Sequence, residues 1–139
     1  MKINGTYTEK EFKVLSLTTV LDEYIHSRFV HYLTIDIEGF EYKILEQLVG
    51  NGKFTKEKSG IVFCQIDAEL HSPEMHNIHS AVKNLNPVEF MLHFLQISSP
   101  FIPIFNAPYA HYPHQKVTFI NIENPECEAA FGFSLFLNQ

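Results

Sequence analysis

The run Ile35-Asp36-Ile37-Glu38-Gly39-Phe40-Glu41-Tyr42-Lys43-Ile44-Leu45 constrains this chain more than any other stretch. Tyr32, Leu33, Ile35 and Ile37 form a short apolar run of strand type, while Phe40, Ile44, Leu45, Leu48 and Val49 recur at helical spacing. Gly39 marks the turn between them, and three carboxylates crowd it. A buried strand feeding an amphipathic helix is the repeating unit of α/β folds. In open parallel sheets ligands bind beyond the carboxyl ends of the strands, so Asp36 and Glu38 are placed to meet one.

A second strand of the same kind runs from Gly60 to Ile66, and its unbroken Ile-Val-Phe-Cys core is expected of a strand buried on both faces. With the helix from Gly39 to about Val49, closed by Gly50-Asn51-Gly52, the two strands make a βαβ unit. Upstream, Lys13–Leu17 is expected to be a short strand. Thr19–His26 is expected to be a helix with Val20, Tyr24 and Ile25 as its apolar stripe. Downstream, Ser72-Pro73-Glu74 and Asn86-Pro87-Val88-Glu89 both carry a cap followed by proline at the first helical position. Two helices follow from that, one burying Met75, Ile78, Val82 and Leu85, the other Phe90, Leu92, Phe94 and Leu95. Phe101–Phe105 and Lys116–Ile122 read as strands. The apolar tail from Ala129 to Gln139 shows no turn or cap logic and is expected to be either a docked segment or an aberrant end.

Several classes are disfavoured by composition. The chain has 139 residues, 45% hydrophobic and 19% charged, a globular balance with room for one ordinary core. Its net charge of −6 and lack of a Lys/Arg cluster argue against a nucleic-acid surface. Met1–Lys13 has no apolar signal core, and no stretch approaches the roughly 20 residues a bilayer demands. The expectation is therefore no membrane partner and, by default, a cytoplasmic location. Asn4-Gly5-Thr6 matches the glycosylation pattern but means nothing without secretion. Cys64 and Cys127 cannot build a disulfide framework, and Cys64 is expected simply to pack.

The segments Val14–Ile25, Tyr32–Leu45, Ile61–Pro73 and Val117–Cys127 together resemble the FkbM family of S-adenosylmethionine-dependent methyltransferases, in an animal branch, over about residues 12 to 128. The resemblance implies a class I methyltransferase, Rossmann-like three-layer α/β sandwich with parallel central strands and an antiparallel C-terminal strand pair. It implies O-methylation of a hydroxyl on a small molecule or sugar. It also implies a glycine-rich turn and a following acidic residue for the cofactor, and none of the six glycines here supplies such a loop. Residues 1–139 thus read as a single partial domain without the N-terminal, cofactor-binding half. An alternative follows: an inactive truncated remnant or interaction module. Such a chain would leave the Leu33–Ile37 strand as an apolar sheet edge open to self-association.

Within that frame Asp36, Glu69 and His71 are the candidate catalytic residues, and Asp36, Glu38 and Gly39 the candidate cofactor contacts. An acceptor hydroxyl must lose a proton, for which a carboxylate or histidine at a strand end could serve. Period-two alternation puts Thr34, Asp36 and Glu38 on one face and Gln65, Asp67, Glu69 and His71 on another strand's equivalent face. Plainer roles stay open: Glu38 or Glu41 could merely favour the positive end of the following helix, by about 0.3–1 kcal/mol. The acids could instead gather a hard divalent cation, and His71, His76 and His79 invite a zinc reading without the spacing of a zinc motif. No metal is assigned from the sequence, and a metal-dependent hydrolase rests only on the acid and histidine count. The loop from Pro108 to His114 could cover an acceptor site or be ordinary surface.

Overall fold

The computed structural model describes residues 13–75, 78–108 and 114–137, together with a short antiparallel pairing of β1 (Lys2–Ile3) with β2 (Thr6–Tyr7). Its centre is a four-stranded mixed sheet. β3 (Phe29–Ile35) pairs in parallel with β4 (Val62–Leu70), β4 pairs antiparallel with β6 (Gln115–Asn121), and β6 pairs antiparallel with β5 (Phe101–Pro108). The order is β3-β4-β6-β5. The architecture is mixed α/β, with the expected parallel pair at one side and antiparallel pair at the other.

Helices cover both faces of this sheet. Successive strand residues point to opposite faces, and Phe119 and Ile120 accordingly belong to different apolar clusters. The larger cluster joins Ile66, Ala68, Leu70, Val117 and Phe119 to Tyr42 and Leu45 of α2 (Glu41–Leu45) and to Phe90 and Phe94 of α4 (Pro87–Phe94). Phe94 lies stacked on Phe101 and edge-on to Phe119, with centroids 5.4 and 4.8 Å away. The smaller cluster brings Cys127 of α5 (Pro125–Phe131) and Phe133 of α6 (Phe133–Leu137) against Val62, Cys64 and Ile120. Among the described residues no helix is long and apolar enough to cross a membrane.

The structure corrects several expectations. Lys13–Ser16 is irregular; Ser16 caps α1 (Leu17–Val20), its Oγ accepting from the Thr19 N–H at 3.1 Å. α1 continues as a π-turn over Leu21–Ile25, which rotates the apolar stripe so that Leu21 is buried while Tyr24 and Ile25 stay exposed. The first sheet strand starts at Phe29 and ends at Ile35, so Asp36 and Glu38 lie beyond it. The second runs on to Leu70 and takes Asp67 and Glu69 into the ladder. The segment between them contains a one-turn helix, α3 (Lys56–Ser59).

The helix expected from Ser72 does not form: residues 72–75 and 78–85 are turns and bare chain, and His76 lies outside the described residues. His79 Nδ1 takes the Ala81 N–H at 3.1 Å, which competes with helical pairing there, while the Ser72 N–H, unpaired in any helix starting at this point, bonds His114 Nδ1 at 3.2 Å. Asn86 does cap α4 as expected, accepting from Val88 and Glu89, although Leu92 faces solvent. The tail is neither unstructured nor aberrant up to Leu137. Asn124 and Pro125 start α5 by the same device, Gly132 at φ +63 ends it, and Phe133 docks α6. Finally, Cys64 is bonded to Cys127, Sγ to Sγ at 2.04 Å, so it does more than pack.

Candidate functional site

The parallel pair ends where the chain must turn, and the residues at that end converge on one imidazole. After Ile35, Asp36 leaves the strand with an exposed side chain. Glu38 takes a left-handed backbone (φ +56), a conformation that costs a non-glycine residue on the order of 1 kcal/mol or more. Gly39 follows at φ +103, and its missing side chain matters: a Cβ there would lie 2.7 Å from Ile78 Cδ1 and 3.2 Å from Val82. Its role in the structure is to let the turn press against the 78–82 segment. α2 then begins, and Glu41 in its first turn folds back so that Oε1 accepts the Ile37 N–H at 2.6 Å.

Glu41 is a site residue absent from the candidates read in the sequence, where a helix-end role was left open for it. It is wholly buried. Its Oε1 also faces His71 Nδ1 at 3.0 Å, and the same nitrogen lies 3.0 Å from the Glu69 carbonyl oxygen. Both neighbours are acceptors, so Nδ1 carries a hydrogen and Nε2 is the ring nitrogen turned towards the cleft. Around Nε2 stand Asp36 Oδ1 at 3.7 Å, Glu38 Oε2 at 3.7 Å and Glu69 Oε1 at 3.9 Å. Asp36, Glu38, Glu69 and His71, placed on two strand ends by the sequence, are thus brought together by the parallel register, in which Thr34 faces Asp67 and Ile35 faces Ala68. Gly39 is the candidate that does not reach this point.

Two further groups frame the site. Buried His114 lies against His71, ring centroids 4.6 Å apart, and closes the side towards β6. Lys116 Nζ approaches Glu69 Oε2 at 3.5 Å and offsets part of the negative charge. A cleft of about 310 Å³ opens beside them on the polar face of the sheet, lined in part by Tyr32, Thr34, Asp36, Glu69 and Lys116. Within it the Tyr32 hydroxyl donates to Asp67 Oδ2 at 2.5 Å, which fixes Asp67 away from the histidine. Of the loop from Pro108 to His114, only its two end residues lie within the described residues.

No capping-box pattern marked Glu41 in the sequence: Phe40 holds the N-cap of α2 without a side-chain cap bond, and Glu41 reaches back four residues to the Ile37 N–H through a turn that only the fold reveals. Two cysteines of very different context likewise gave no sign that they were neighbours.

Carboxylates and an imidazole gathered at a strand-end cleft are groups able to move protons or bind cations. The family model for the methyltransferase FkbM domain matches residues 3–97, which carry β3, α2, β4, α4 and every member of the histidine cluster except His114 and Lys116. No curated protein and no solved structure matches the chain. With more than half of its length, and the acidic strand–turn–helix at its heart, inside that match, the chain belongs to the FkbM methyltransferase domain family.

Proposed function

We propose that the chain acts in S-adenosylmethionine-dependent O-methyl transfer to a hydroxyl of a small molecule or sugar, with the cluster around His71 as the acceptor's side of the reaction. The observation that carries this reading is the Glu41–His71 pair, which turns Nε2 towards Asp36 and Glu69 at the mouth of the cleft. When bound, S-adenosylmethionine supplies a methyl group already activated on a sulfonium, so the protein has to align the acceptor and remove its proton. His71 Nε2 is positioned to take the hydroxyl proton, with Glu41 holding the ring's orientation and stabilising the imidazolium.

The residues present fit the cofactor in part. Asp36 and Glu38 carry reachable carboxylates able to accept hydrogen bonds from ribose hydroxyls or an ammonium group. Gly39 does not fit as a cradle, because the space above it is filled by Ile78. A non-catalytic interaction module is therefore the second reading, favoured by that filled turn and by β3, which pairs on one side only among the described residues and offers its outer edge to another copy.

Calorimetric titration of S-adenosylmethionine into the chain separates the two. Saturable binding that Asp36→Ala weakens at least about tenfold supports the enzyme. Absence of heat, together with a concentration-dependent dimer in light scattering, supports the module.

A further inference from the structure

We infer that the open half of the sheet's polar face is a platform for a saccharide, neutral or carrying an amino group, with Tyr32 and Phe105 as its aromatic flanks. The helices α5 and α6 cover this face only around Val62, Cys64 and Ile120. Residues paired across neighbouring strands share a face. Beyond Ile120 the registers therefore set Thr34, Asp67, Thr118 and Phe105 in one row across all four strands, with Glu69 and Lys116 paired in the next row towards His71. Both rows line the cleft of about 310 Å³, a volume within the range of small-ligand sites. Four strands span three gaps, about 14 Å, which is room for two linked sugar rings.

An irregularity in β5 supplies an independent reason. Between Pro103 and Phe105 the register shifts by one residue, so that Phe105 and not Ile104 pairs with Thr118. An unbroken register, continued from Ile102 opposite Ile120, would set Ile104 at that place and turn Phe105 to the other face of the sheet. Shifts of this kind re-aim a side chain beside a functional site. The re-aimed ring is 54% exposed, and Tyr32 on the opposite flank is 51% exposed. A sugar suits such a surface, because its C–H faces pack on aromatic rings while its hydroxyls pair with the polar groups between them.

The groups between the rings complete the match. Asp67 accepts from Tyr32 and from Gln65 Nε2, and each of its oxygens keeps a lone pair for a sugar hydroxyl. The hydroxyls of Thr34 and Thr118 either donate or accept. Three carboxylates, Asp36, Asp67 and Glu69, stand against the one ammonium of Lys116, so the lining repels phosphorylated or carboxylated sugars and admits neutral and amino ones. The inference rests on the methyl-transfer reading only for the fate of the bound sugar, since a hydroxyl at the Glu69 end of the platform lies next to His71 Nε2.

The test is saturation-transfer NMR on the full chain at low salt, with no methyl donor present. The probes are the common neutral hexoses and pentoses, their 2-amino derivatives and the corresponding disaccharides, with glucose 6-phosphate and glucuronate as anionic counterparts. At least one neutral or amino sugar should bind saturably in roughly the millimolar range, and the anionic counterparts at least about tenfold more weakly. Phe105→Ala, a change at an exposed position, should weaken that binding about three- to tenfold. Tyr24→Ala, which removes an exposed ring outside the cleft, should leave it unchanged. No saturable binding by any probe, binding as tight for glucose 6-phosphate as for glucose, or binding that Phe105→Ala weakens no more than Tyr24→Ala overturns the inference. Titration of S-adenosylmethionine into the chain without sugar reports on the methyl-transfer reading alone, so the two failures are distinguishable.

Discussion

Glu41 and His71, thirty positions apart in sequence, meet at 3.0 Å in the interior between a helix start and a strand end, and this contact ties the βαβ unit to its own mouth. The same Glu41 oxygen receives the Ile37 N–H, so one carboxylate organises both the turn after β3 and the ring after β4. Folding and site geometry therefore depend on a single side chain.

Replacing Glu41 should expose that dependence. Glu41→Ala strands the Ile37 N–H in a dry interior, leaves the imidazole Nδ1–H only the Glu69 carbonyl, and should cost about 2–4 kcal/mol in urea unfolding. Glu41→Gln keeps the volume and one acceptor oxygen and should cost about 1–2 kcal/mol. Equal losses from both variants would mean that packing, not the carboxylate, matters here.

Gly39 provides a steric test. At φ +103 and with Ile78 filling the space above it, Gly39→Ala meets both backbone strain and a clash, together about 2–4 kcal/mol. Adding Ile78→Ala should relieve the clash but not the strain, so the double variant should fall short of additivity. An additive double variant would show that the two residues do not touch.

Tyr42 reports on the interior beside this junction. Burial first, then the charge of neighbouring Glu41, push its hydroxyl up to about 12. A phenol whose folded pKa lies above its unfolded value of about 10 contributes stability that is intact below pH 10 and is lost as pH rises from about 10 to about 12. Tyrosinate absorbance should thus lag at Tyr42 in the folded chain. Tyr42→Phe should make the alkaline fall in stability shallower, and an unchanged pH profile would contradict the shift.

What could be read from the sequence was local. The strand–turn–helix at Asp36, the buried strand around Phe63, the Asn86-Pro87 helix start and the antiparallel β5–β6 pair all announce themselves within about ten residues, where periodicity and caps operate. Ser72-Pro73 carries the same start signal as Asn86-Pro87 yet gives turns, and the Ala81 N–H goes to His79 Nδ1 in place of a helical carbonyl. The same split divides the site. Asp36, Glu38, Glu69 and His71 could be named from the strand ends, whereas the burial of Glu41 and the approach of His114 depend on contacts that no local pattern encodes. Asn124-Pro125 is the exception, a local signal equal to Asn86-Pro87 that went unused.

The Cys64–Cys127 bond, 63 residues apart, ties β4 to α5 across the smaller apolar cluster. Closing a loop of that size removes chain entropy from the unfolded state and is worth about 2–4 kcal/mol. Such bonds persist in oxidising surroundings and are rare in the cytosol. Purified without reductant, the chain should have a mass lower by two hydrogens than the reduced form and should resist thiol alkylation until unfolded. Cys64→Ser, Cys127→Ser and the double variant should all lose the same stability, because each removes the one crosslink, and the two changes together should add little. If the single variants were as stable as the parent under non-reducing conditions, the crosslink would not be holding α5 to the sheet, and the packing of Phe133 against Val62 and Ile120 would have to hold it unaided.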